Sequence, residues 1–264
     1  MRAFAPLLLL LLTAATAPKD DGLSWHWDRD TPSCALIQNT PDGAKVTIGR
    51  TPGHYDTSIS LTVRSPRFRK GAYENGAITL SNGVTANSTI RVWSIENRQY
   101  EIGGSADDPA FGRALASSSS LTISHPDFGK FSASLRDLPA ALNAIHSCEE
   151  GRLRDWGIDP NAYWALASRP QVIGSLIDLF SSDAYPEIAL SRSVERNIIA
   201  RLQVGTDGSV LSCSVPGNFA YPQFVDAVCK ILKGGARFHP ARDSTGQAVE
   251  APYVVIVSFK MGGY

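Results

Sequence analysis

The sequence predicts an α+β protein of two units. A mostly-β N-terminal domain, a sandwich or small barrel with a helix at its end, is followed by a C-terminal domain ordered strand, strand, helix, strand. Three observations carry that prediction. Short alternating apolar runs crowd residues 25–134, one long helical period occupies 138–156, and a hairpin, an amphipathic helix and a closing apolar strand fill the last third.

The N-terminal unit is read from runs at 44–48, 57–63, 77–80, 89–95, 121–124 and 128–135. Turn residues punctuate them: Pro52-Gly53, Asn75-Gly76, Asn82-Gly83 and Gly103-Gly104. Regular spacing of short strands suits a sandwich or barrel without choosing between them. Trp25 and Trp27 alternate with His26, which predicts one strand with both indoles packed inward. Leu138, Ala141, Leu142, Ile145 and Cys148 then share one helical face, and Gly157 ends the pattern. Asp159 to Asp183, interrupted by Pro160 and Pro170, forms the connection, with Val172 to Phe180 as a short helix or docking segment.

In the C-terminal unit Ile198, Ala200, Leu202 and Val204 fall on one side of a strand. Asp207-Gly208 turns the chain and Val210 to Val215 runs back beside it. Phe224, Val225, Val228, Ile231 and Leu232 recur at helical spacing, Gly234-Gly235 stops that helix, and Tyr253 to Phe259 reads as a buried final strand. The predicted division is 1–17 leader, 18–158 N-terminal domain with its helix, 159–182 connection and 183–264 C-terminal domain.

The leader reading rests on Arg2, the apolar block Leu7 to Leu12 and the small residues up to Ala17, the pattern of a secretory signal. Its apolar stretch is far short of the ~20 residues that span a bilayer as a helix, so no stable membrane insertion is expected. Export makes the four cysteines a disulfide question. Cys213 lies on a hairpin strand and Cys229 on the helix beyond it, which pairs them and leaves Cys34 with Cys148. Three pairings are open to four cysteines, and this one places a bond inside each unit.

The 25 basic and 25 acidic residues balance, so overall charge favours neither nucleic acid nor an anionic surface. The local basic run Arg64, Arg67, Arg69 and Lys70 reads as a solvated loop. No nucleophile elbow, phosphate loop or dinucleotide fingerprint occurs, and the five histidines lack metal-ligand spacing. His54-Tyr55-Asp56 and Asp28-Arg29-Asp30 are the clusters closest to chemistry. In a strand His54 and Asp56 share a face and can bond each other, while Asp28 and Asp30 lack the further ligands of a calcium loop. No catalytic residue, metal or cofactor is therefore expected.

Tyr185-Pro186, Asp207-Gly208, Asp226 within the helix, Phe238-His239-Pro240-Ala241, Gly246 and Phe259 together resemble the TonB-family C-terminal domain. The resemblance covers roughly the last third. Two departures stand out: Pro216-Gly217-Asn218 replaces the family's frequent Ser-Ser-Gly, and the helix end lacks its usual tryptophan. Ala141-Leu142, Cys148 and Asp155-Trp156-Gly157 resemble a segment of exported TonB-like proteins of sphingomonad-type bacteria. The resemblance implies a periplasmic binding protein whose C-terminal domain engages a protein or peptide segment of the envelope, such as part of an outer-membrane receptor. It assigns the contact to the last strand, at Tyr253, Val255, Val257 and Phe259. The alternatives are an energy-transducer component, which needs an anchor and a proline-rich rod, and an envelope enzyme with an unrecognised site in the β domain.

Overall fold

The structure is a computed structural model; the residues described are 25–28, 33–40, 43–54, 56–64, 72–95, 99–181, 184–215, 222–259 and 261. The leader, Arg29 and Asp30, Tyr55, the basic residues Arg67, Arg69 and Lys70, Asp183, and Pro216-Gly217-Asn218 lie outside the described residues.

Among the described residues nine strands build the N-terminal unit: β1 (Trp25–Trp27), β2 (Cys34–Asn39), β3 (Lys45–Arg50), β4 (Thr57–Arg64), β5 (Ala72–Leu80), β6 (Thr85–Ser94), β7 (Gln99–Ala106), β8 (Ser120–His125) and β9 (Gly129–Ser134). They form one antiparallel sheet in the order β1-β2-β3-β4-β7-β6-β5-β8-β9, curled into a half-barrel. Among the described residues it is a single open sheet, neither a two-sheet sandwich nor a closed barrel. Alternation explains its faces. In β4, Ile59 and Leu61 are buried while Ser58 and Ser60 turn outward.

The inner face packs against α1 (Pro109–Leu115), through Phe111 and Leu115, and against α2 (Leu138–Asp155). The buried stripe of α2 is Leu138, Ala141, Leu142, Ile145, Glu149 and Leu153, a helical face on which one member is a carboxylate. Cys148 beside it bonds Cys34 of β2, with their Cα atoms 5.9 Å apart, so the helix is stapled to the sheet as the pairing argument expected. Trp25 packs against this core and its indole Nε1 donates to the Arg136 carbonyl at 2.6 Å. Trp27 departs from the expectation: it ends a three-residue edge strand and stays 43% exposed.

The connection is packed along much of its course. It holds α3 (Pro160–Trp164), β10 (Gln171–Val172) and a 3-10 turn at Ile177–Leu179, in place of a helix over 172–180. Val172, Leu176, Leu179 and Phe180 nevertheless dock on the C-terminal core.

That core lies between a three-stranded sheet and one helix. After the short α4 (Glu187–Ser191) come β11 (Arg196–Val204), β12 (Val210–Ser214), α5 (Pro222–Gly235), three two-residue strands, β13 (Phe238–His239), β14 (Ala241–Arg242) and β15 (Ala248–Val249), and finally β16 (Ala251–Phe259). The short strands form side ribbons, β13 with β10 and β14 with β15. The main sheet runs β12-β11-β16. Phe224, Val228 and Leu232 of α5 meet Ile198, Ala200, Leu202 and Val204 of β11, and Cys213 bonds Cys229 to fix helix on sheet. Glycine is required at Gly208, where φ is +79° and a Cβ would stand 1.9 Å from the Phe238 carbonyl oxygen.

Candidate peptide-binding edge

The sheet order leaves β16 with a paired side and an outer side. Along β11 its register runs Leu202↔Tyr253, Ala200↔Val255, Ile198↔Val257 and Arg196↔Phe259. In an antiparallel strand the N–H and C=O of one residue face the same neighbour, and those of the next face the opposite way. Two residues fix the parity here. Pro252 has no N–H to give a ladder, and the Val254 carbonyl accepts from His54 Nε2, outside the sheet. The outward set is thus Pro252, Val254, Ile256 and Ser258.

The expected contact residues have the other parity of this strand. Tyr253, Val255, Val257 and Phe259 direct their main-chain groups to β11, and their side chains pack into the C-terminal core. They build the strand, and the alternate residues present its edge. Of the outward set, Pro252 lacks a donor and Val254 is engaged. The outward groups of Ile256 and Ser258 make no hydrogen bond among the described residues.

The engagement of Val254 belongs to a junction between the two units. Val254 is 1% exposed and clusters with Leu153, Trp156, Ile158 and Tyr163. The Pro52-Gly53 turn, with φ +87° at Gly53, carries His54 across to it, and a Cβ at Gly53 would already touch Val254 at 3.4 Å. Since a carbonyl only accepts, His54 Nε2 carries the proton of that bond. Its Nδ1 lies 3.7 Å from Asp56, too far for the expected hydrogen bond, and both residues precede β4 instead of sharing a strand face; the His54 ring sits 5.2 Å from that of Tyr253. The corner is held from behind. Tyr163 donates its hydroxyl to the Gly53 carbonyl at 2.5 Å, and Arg169 Nη1 donates to the His54 carbonyl at 3.3 Å. Arg169 is itself packed over the rings of Tyr163, at 4.8 Å, and Trp164, at 4.2 Å. On the other side of the junction, Arg201 of β11 donates to the Trp156 carbonyl at 3.0 Å.

Charge gathers around this corner. A cavity of about 300 Å³ is bordered by His54, Asp56, Asp107, Arg169 and Tyr253. Burial and then the Asp56 charge raise the Asp107 carboxyl above its ordinary range, opposed by His54. Tyr253 is pushed up to about 12, mainly by burial and further by Asp56. Deeper in the N-terminal unit, burial lifts Glu149 to about 7, against the pull of Arg50 and Arg169. Among the described residues no group of three His, Cys, Asp or Glu side chains is placed to hold a metal ion.

Residues 181–261 match the family model for the Gram-negative bacterial TonB protein C-terminal. The C-terminal unit is a TonB-type C-terminal domain. No curated protein and no solved structure matches the chain. The TonB-type domain identifies the chain's last third as an envelope domain, and no helix among the described residues is long and apolar enough to cross a membrane. Sequence reasoning reached the edge strand of this domain but not Tyr163, Arg169 or the reach of His54. The signal available for the last was its position directly after a Pro-Gly turn, in the loop between β3 and β4.

Proposed function

We propose that this is an exported periplasmic protein that acts by binding, without catalytic turnover. Its TonB-type domain takes up a protein or peptide segment of the cell envelope, such as a segment of an outer-membrane receptor, by strand addition along the outer side of β16. One observation carries the reading: β16 ends its sheet with the outward main-chain groups of Ile256 and Ser258 unbonded among the described residues. An extended segment satisfies such groups with its own backbone, which gives affinity with little demand on sequence. The two disulfides suit an oxidising compartment.

Proline substitution tests the edge directly. Ile256→Pro removes an outward N–H and leaves the β11 ladder whole, whereas Val257→Pro removes a donor facing β11. Partner capture from envelope extract, quantified against wild type, is expected to fall in folded Ile256→Pro protein with unchanged unfolding behaviour. Undiminished capture moves the site away from β16, and hydrolytic or transfer turnover by the purified chain replaces binding with catalysis.

A further inference from the structure

We infer that the Gly53-His54 corner is a latch that occupies the edge of β16 and must lift before a full-length partner strand can add. The inference rests on the edge-binding reading and concerns how that edge is regulated. A strand added to a sheet runs about 4.8 Å from its neighbour and supplies an N–H to each outward carbonyl. His54 Nε2 already supplies that donor to Val254, and the imidazole stands where the incoming backbone would pass. With Pro252 lacking a donor, the closed edge offers only Ile256 and Ser258 among its described outward residues. Such a footprint is shorter than the ~5 residues typical of a stable strand. Release of Val254 extends the free edge to residues 254–258, which reaches that length.

The corner is built to be held and released as a piece. Tyr163 and Arg169 grip its two carbonyls, at Gly53 and His54. The first grip depends on one phenol hydroxyl. The second depends on a guanidinium held by the rings of Tyr163 and Trp164. Tyr163→Phe therefore removes the first grip while keeping the ring that packs in the cluster with Val254.

Full-length wild type, His54→Ala and Tyr163→Phe would each be titrated with a fluorescent heptapeptide of alternating threonine and valine with lysine ends, a generic strand former. Each variant is expected to bind about tenfold tighter than wild type, the worth of one competing hydrogen bond removed. Adding Ile256→Pro should abolish the gain. Equal, Ile256→Pro-sensitive binding by wild type and both variants overturns the latch and leaves the edge reading standing. Weaker binding by His54→Ala and Tyr163→Phe also overturns it, making the corner part of the site. Absence of binding by all three overturns the edge reading and the latch with it. Thermal unfolding of both variants identifies any that is misfolded, and Tyr163→Phe alone then decides if His54→Ala fails to fold.

Discussion

Replacing Glu149 with glutamine should flatten the protein's stability against pH. The residue sits on the buried stripe of α2, 0% exposed, and neither carboxylate oxygen accepts a hydrogen bond among the described residues. Arg50 lies 3.6 Å away, beyond hydrogen-bonding distance, so it acts on the carboxylate as a charge. Burial dominates and raises the group from an ordinary 4.5 to about 7. Between those values the folded chain keeps a proton that the unfolded chain has released. Stability from this group is therefore complete below about pH 4.5 and is lost as pH rises through about 7. The gap corresponds to about 3 kcal/mol. Glutamine imitates the protonated form at all pH values, and the partly exposed Arg50 can turn to water. Urea unfolding of both proteins at pH 4 and pH 8 isolates the effect, because Asp107, Asp207 and Asp243 titrate alike in each. Wild type should lose ~1 M in midpoint relative to Glu149→Gln between the two conditions, for a slope near 3 kcal/mol/M. Parallel pH dependences would refute the argument that burial outweighs the two arginines.

Two further outcomes test the scaffold. Gly208→Ala should destabilise by more than ~2 kcal/mol, since it adds left-handed strain to a direct clash with the Phe238 carbonyl, and an unchanged melting temperature would contradict the turn geometry. Opening Cys213–Cys229, with a separation of 16, by paired serine substitution should cost ~3 kcal/mol, and Cys34–Cys148, with a separation of 114, ~4 to 5 kcal/mol. Non-reduced peptide mapping checks the pairing first, and a bond joining the two units would overturn it.

Local rules made much of the scaffold legible. Period two located β11, an apolar closing run located β16, and the helical spacing of Phe224, Val228 and Leu232 placed the buried face of α5. The Asp207-Gly208 turn and the Cys213–Cys229 pair followed from the same neighbourhood reasoning, and Cys34–Cys148 was the pair that this left. The outward parity of β16 did not. Alternation sorts side chains between two faces, but which main-chain groups face a neighbour depends on strand order, a nonlocal property. Glu149 was hidden for another reason. It continues the stripe Leu138, Ala141, Leu142, Ile145 at helical spacing, yet its charge argues for water, and only tertiary enclosure shows otherwise. The half-barrel likewise comes from pairings such as β4 with β7 and β5 with β8, which link segments far apart in sequence.

The junction shows why the two units have to be considered together at the edge. Val254 belongs to the TonB-type domain, but the side chains that bury it, Leu153, Trp156, Ile158 and Tyr163, come from α2 and the segment after it. Asp155-Trp156-Gly157 therefore serves the structure: α2 ends there, and Trp156 packs in this cluster while its carbonyl receives Arg201 of β11. Full burial of a valine side chain stabilises by roughly 1.5 to 3 kcal/mol, and each bond across the junction adds on the order of 1 kcal/mol. Those magnitudes favour a closed junction at rest and, on the proposed edge-binding reading, remain within reach of a partner strand, which would gain several main-chain bonds on adding. On the proposed latch, the His54 contact with the Val254 carbonyl would set how strongly a partner must bind to open the edge.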